Sequence, residues 1–238
     1  MAKKTTGKKR KTVGRGVRRI ALRVAAGIVV LILGLVALFS VLNPPTTPYM
    51  AAEARRLGGV DHEWIPMEQI APVMARAAVA AEDARFCQHW GFDVIAIRAA
   101  IDAGGERGAS TITQQVVKNV FLWQGRSWPR KALEAMLTPL VEAFWTKRRI
   151  LEVYLNVAEF GEGVFGIDAA AYAAFRVRPS ELGATQAARL AAVLPNPKGR
   201  SAAAPSATLE RRAAGIRDGA ATIDRDGRAA CFQTAAPG

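Results

Sequence analysis

The chain has 238 residues, half of them hydrophobic and 22% charged, which is enough apolar material for a sizeable domain and excludes a disordered chain. Its net charge of +13 does not point to nucleic acid, because ten Lys and Arg and no acid fall within residues 1–23, leaving about +3 for the remainder. Two cysteines and two histidines exclude a disulfide framework, a zinc site and histidine-based metal binding, while oxygen-ligated Mg²⁺ or Mn²⁺ needs no histidine.

The basic segment is followed by Val24 to Leu42, nineteen residues without a charge. As a helix this run spans roughly 28 Å, close to a bilayer core, and the cations before it place the N-terminus in the cytoplasm. The run is longer than a signal-peptide core and lacks a small-residue cleavage site, so an uncleaved anchor is expected. Residues 43–48 (NPPTTP) cannot continue a helix and read as a stiff linker. Residues 49–57 are weakly helical, Gly58-Gly59 breaks them, and His62 to Pro66 is extended.

An alanine-rich helix is expected from about Glu68 to Ala81, starting near Pro72. It runs into Glu82-Asp83-Ala84-Arg85-Phe86-Cys87-Gln88-His89-Trp90-Gly91-Phe92-Asp93, where charge appears as the helix stops. Such a turn is either a solvated helix end or the edge of a catalytic cleft. Asp93 is an N-cap candidate for a helix to about Ala103, and Gly104-Gly105 opens a loop to Gly108. On a helix beginning near Ser110, Thr111, Gln114, Gln115 and Lys118 share one face, a neutral polar stripe with one cation.

Ser127-Trp128-Pro129 has the chemistry of a helix start, with Arg130, Lys131 and Glu134 within one turn and Pro139 expected to kink or divide the helix. Lys147 to Leu155 is amphipathic and leads to Asn156. Residues 157–166 (VAEFGEGVFG) read as a loop before a helix to about Phe175, another helical region runs from Pro179 to Leu194, and a last helix starts near Ser206. No alternating strand pattern appears, so the fold class is mainly α. Cys87 and Cys231 read as two free, buried thiols; spacing alone does not show that they meet.

The segments EDARFCQHWGFD, GASTITQQVVKN, RKALEAML, RRILEVYLN and GIDAAAYAAF stand in the order of the five motifs of bacterial peptidoglycan glycosyltransferases. Over about residues 60–225 the chain resembles the monofunctional biosynthetic peptidoglycan transglycosylases. The resemblance implies a lysozyme-like, two-lobed helical domain behind the anchor. With it come a basic cytoplasmic tail (1–23), the transmembrane segment (24–42), a linker (43–59) and a loose C-terminal tail (226–238). It implies lipid II and the growing glycan strand as substrates, the inner membrane as location with the domain outside the cytoplasm, and other wall-synthesis proteins as partners. No organic cofactor and no nucleic acid are implied.

By motif position the resemblance makes Glu82 the catalytic base and Glu134 the second catalytic carboxylate. It assigns Asp83, Phe86, His89, Thr111, Gln115, Lys118, Asn119, Arg130 and Lys131 to substrate binding. Glu134 either orients the cations or holds a divalent ion, Mg²⁺ or Mn²⁺, on the pyrophosphate. Two departures stand out: Gly108-Ala109 replaces a paired glycine, and Ala174-Phe175-Arg176-Val177-Arg178 lacks the lysine expected after the fifth motif, leaving open whether Arg176 or Arg178 replaces it. A lytic, lysozyme-like enzyme needs an acidic glutamate but no phosphate-binding cations, and an anchored scaffold needs neither carboxylate.

Overall fold

A computed structural model describes residues 7–104, 110–125 and 127–233, with side chains from Arg18 onward. The Gly105–Gly108 loop, the Gly108-Ala109 departure, the first six residues and the end of the C-terminal tail lie outside the described residues. The chain falls into two compact units, residues 1–42 and 43–238. The first is a continuous helix, α1 (Gly7–Phe39). Its apolar part, Arg18–Phe39, is long and apolar enough to cross a membrane. The helix therefore begins inside the basic segment and stops three residues before the expected Leu42.

The second unit opens with α2 (Pro48–Leu57), capped by Thr47, whose hydroxyl accepts from Met50 N at 3.1 Å. After strand β1 (Asp61–His62) and a 3₁₀ turn (Met67–Gln69) comes α3 (Pro72–Glu82), started by its proline and ended at Asp83. A second 3₁₀ turn (Phe86–Gln88) leads to α4 (Val94–Asp102), where Asp93 caps as expected by accepting from Ala96 N at 2.9 Å. Helices α5 (Ile112–Phe121), α6 (Trp128–Phe144) and α7 (Lys147–Val157) come next. Pro139 neither ends nor divides α6. Ser127 occupies the N-cap position without a side-chain cap bond.

The segment read as a loop contains strands β2 (Glu159–Gly161) and β3 (Val164–Phe165). They join β1 in a small sheet of order β1-β3-β2, with β1 parallel to β3 (Asp61 opposite Val164) and β2 antiparallel to it (Glu159 opposite Phe165). Strands of two or three residues are too short to show a period of two, which is why the pattern is silent. Helices α8 (Gly166–Phe175), α9 (Ala184–Val193) and α10 (Ala207–Arg225) complete the unit, with a 3₁₀ turn at Pro179–Glu181 and Ser206 capping α10. The region from Pro179 to Leu194 is thus two elements rather than one.

Six of the helices pack in two groups. Alanines let α3, α9 and α10 approach closely, burying Ala75, Ala78, Ala187, Ala191, Ala213 and Ala220. Larger side chains, among them Ile112, Val116, Val141, Leu151 and Tyr154, fill the space among α5, α6 and α7. Glu82 ends a helix of the first group, whereas Lys118 and Glu134 stand on helices of the second.

The free-thiol expectation is corrected: Cys87 and Cys231 form a disulfide with their Cα atoms 5.7 Å apart. It straps the C-terminal segment to the turn after α3. Phe232 packs on Phe86 with ring centroids 6.2 Å apart, Arg228 donates to Ala84 O at 2.9 Å, and Arg148 donates to Phe232 O at 3.0 Å. A bridge closing 144 residues restrains the unfolded chain strongly, so Cys87→Ser is expected to cost about 2–5 kcal/mol. Denaturant unfolding of the oxidised and mutant proteins checks this; equal midpoints would contradict it.

Candidate active site

Glu82 is the last residue of α3, and its side chain is only 13% exposed. Gln115 Nε2, one turn into α5, donates to Glu82 Oε2 at 2.9 Å, and the Tyr154 hydroxyl on α7 donates to Gln115 Oε1 at 3.4 Å. Burial pushes the Glu82 carboxyl above the usual carboxylate range and Asp83 adds to the rise, while the Gln115 bond, Arg212 and Lys118 oppose it. Burial next to Glu82 and Asp83 raises the Tyr154 phenol well above its ordinary value, so it remains a donor that fixes the Gln115 amide. Tyr154 stands in the fourth motif, yet it is not among the residues that motif position assigns to the site.

Glu82 opens onto a hollow of about 500 Å³ that Arg85, Asp93, Ser110 and Thr111 also line. A second hollow of similar size is lined by Ser110, Gln114, Gln115, Lys118, Gln124, Gly125, Arg130, Lys131 and Glu134. Ser110 borders both. In the second hollow, Arg130 and Lys131 are both held by Glu134, which lies three and four residues along the same helix face. Arg130 Nη1 donates to Glu134 Oε2 at 2.7 Å and its Nε to Gly125 O at 2.8 Å, and Lys131 Nζ pairs with the other carboxylate oxygen. Burial pulls the Lys118 ammonium below its ordinary range; Glu134 and Glu82 act to keep its proton, and Arg130 and Lys131 act against it. The result is a cation-rich pocket suited to an anion with several oxygens.

Other residues assigned by motif position also make contacts within the fold. Asp83 is buried, with Oδ2 accepting from Ile112 N at 3.0 Å and Oδ1 2.7 Å from His89 Nε2, so it ties the turn to the start of α5. Phe86 is fully buried, and the Lys147 ammonium stands 4.4 Å from its ring centre. Thr111 does not belong to a polar helix face: it is the N-cap of α5. Its hydroxyl accepts from Gln114 N at 3.3 Å, Gln114 Oε1 accepts from Thr111 N at 3.0 Å, and the same hydroxyl donates to Gly91 O at 2.7 Å. Asn119 is buried and accepts from Gln124 Nε2 at 3.1 Å. Asp83, Phe86, His89 and Thr111 thus each have a partner within the fold, and Asp83 and Thr111 also line the hollow at Glu82. Gly91 must be glycine, since its φ is +81° and a Cβ would meet Thr138 Cγ2 at 2.5 Å.

In the fourth motif, Asn156 is fully buried and pairs with Ile65 through both amide atoms, at 2.8 and 2.9 Å, so it holds the fold together. Neither arginine after the fifth motif lines the two hollows. Arg176 lies over the Tyr172 ring at 4.7 Å, and Arg178 is exposed and paired with Glu181. A lysine from further along does approach: Lys198 lines a hollow shared with Gln115, Lys118, Asn119 and Tyr154, and pairs with Glu53 at 2.9 Å.

The residues do not fit a divalent ion at Glu134, because each carboxylate oxygen already faces a cation. Asp83, His89 and Asp93 bring potential ligand atoms within 4.8 Å of one another, yet their carboxylates are spent on Ile112 N, Ala96 N, His89 and Arg85. Neither cluster offers an open coordination sphere.

A sequence-family model described as Transglycosylase matches residues 51–220. The chain is 57% identical over 218 residues to a biosynthetic peptidoglycan transglycosylase of Jannaschia sp. (strain CCS1), covering 92% of this chain and 91% of the relative. It is 47% identical to the protein of that name from Rhodospirillum centenum, covering 92% and 96%, and 43% identical to that of Caulobacter vibrioides, covering 92% and 99%.

Proposed function

The chain belongs to the transglycosylase family, a peptidoglycan glycosyltransferase of cell-wall synthesis with a lysozyme-like helical fold, and on that premise we propose that it polymerises lipid II. The acceptor's 4-hydroxyl attacks the anomeric carbon of the growing strand, Glu82 takes the hydroxyl proton, and the bond to undecaprenyl pyrophosphate breaks with inversion to a β-1,4 link. The observation that carries this reading is the pairing of a buried, Gln115-bound carboxylate with a neighbouring hollow formed by Lys118, Arg130 and Lys131.

Charge divides the labour between the two hollows. A sugar hydroxyl is a weak nucleophile and needs a base with a raised pKa, which the burial of Glu82 supplies. Pyrophosphate departs as an anion and needs cations rather than an acid. A hydrolase needs an acidic glutamate but no phosphate-binding cations, whereas Lys118, Arg130 and Lys131 line the second hollow.

Lipid-linked substrates and the apolar α1 together support attachment to the inner membrane, which confines enzyme and substrate to one surface. The disulfide supports a domain outside the reducing cytoplasm.

Lys118→Ala tests the anion site. Loss of one charged contact is expected to weaken binding of a lipid-linked diphosphate donor about 10- to 100-fold and to flatten its dependence on salt. Fluorescence binding titrations at low and high ionic strength measure both, and unchanged donor affinity would count against the phosphate role.

A further inference from the structure

Helices α3 and α10 run antiparallel in a register that three contacts define. Arg76 Nη1 lies 3.3 Å from Asp224 Oδ1 near the start of α3. At the crossing, Gly219 allows close approach, since a Cβ there would come within 3.3 Å of Ala80 Cβ. Arg212 is seven residues, about two turns, before Gly219 and so shares its face. At the end of α3 its Nη2 stands 3.9 Å from Glu82 Oε1, the oxygen that Gln115 leaves unbonded.

We propose that Arg212 is a positioning residue for Glu82, steering the carboxylate from the α10 side and favouring its ionised, base-competent form. The inference rests on the reading of Glu82 as base. Burial acts against ionisation, as does the negative end of the α3 dipole at its last residue. Asp83 beside it adds a like charge. From α5, Gln115 donates to one oxygen and Lys118 contributes a cation that Glu134 shares; from α7, Tyr154 presents a neutral phenol one bond removed. Arg212 contributes the cation from α10. It is 39% exposed, so water and salt screen it and its effect is graded rather than all-or-none.

Removing Arg212 should therefore shift the protonation of Glu82 upward without removing the base. In Arg212→Gln, the acid limb of the kcat/KM profile for lipid II polymerisation is expected to move to higher pH by a few tenths to about one pH unit, the range for a partly exposed ion pair. Arg212→Lys should move it less. Raising the salt should shift the wild-type limb in the same direction and leave the Arg212→Gln limb nearly in place. A merely structural role would lower activity at every pH alike.

Carbon-13 NMR titration of glutamate-labelled protein, with the Glu82 signal assigned by its loss in Glu82→Gln, reads the same quantity without catalysis. An upward move in Arg212→Gln supports the inference, and an unmoved Glu82 titration overturns it. Failure of the wild-type protein to polymerise lipid II would instead overturn the base assignment, and the NMR titration would still decide whether Arg212 governs Glu82.

Discussion

Glu82→Gln is expected to reduce glycan polymerisation by about 10²- to 10⁴-fold, the usual contribution of a positioned general base. The glutamine is isosteric and can still meet Gln115, so donor binding and the fold should survive. The wild-type acid limb should lie above the usual carboxylate range because burial raises the Glu82 pKa. Stability depends on pH with the matching sign. The folded protein holds the Glu82 proton to higher pH than the unfolded chain does, so stability is fully present below the unfolded pKa and is lost as pH rises through the folded one. Glu82→Gln removes that loss, and its melting temperature at neutral pH should equal or exceed the wild-type value. Near-normal strand formation by this variant would sink the assignment.

Glu134→Ala should fail differently. Glu134 is 3% exposed and Arg130 10% exposed, so removing the carboxylate strands a buried guanidinium, at about 3–5 kcal/mol. The same change frees Arg130 and Lys131 from the pose in which they face the second hollow, and loss of such preorganised charge typically costs about 10²- to 10³-fold in rate. Both stability and kcat should fall, whereas Glu82→Gln lowers kcat alone. Glu134→Gln, which keeps the shape and one hydrogen bond, should recover part of the stability. Chemical denaturation and steady-state kinetics on both variants separate these outcomes; full activity in Glu134→Ala would remove its organising role.

Much of the helix framework is legible locally. Pro72, Asp93 and Ser206 announce helix starts because a fixed φ or a capping oxygen acts within one turn. Glu134 has its partners close in sequence, Arg130 and Lys131, whereas Glu82 is found through its motif and meets Gln115 and Arg212 from distant segments. The polar stripe at Thr111 is readable in another way: Thr111-Ile112-Thr113-Gln114 has the spacing of a capping box, and two of the four stripe residues cap the helix as well as lining the hollows. Features that depend on distant segments meeting have no such local sign. Cys87 and Cys231 join across 144 residues, and Arg212 reaches Glu82 only through the register of α3 on α10. Tyr154 acts through Gln115, and no local pattern marks a residue whose work is done at one remove.

A buried carboxylate base beside a cation pocket should form glycosidic bonds from lipid-linked diphosphates rather than cleave them. Incubating the purified full-length protein in parallel with lipid II and with isolated sacculi distinguishes the two outcomes in one assay. Glycan strands and released undecaprenyl pyrophosphate are expected from lipid II, with the sacculi left intact; soluble fragments from the sacculi and unconsumed lipid II would refute the base-and-cation assignment.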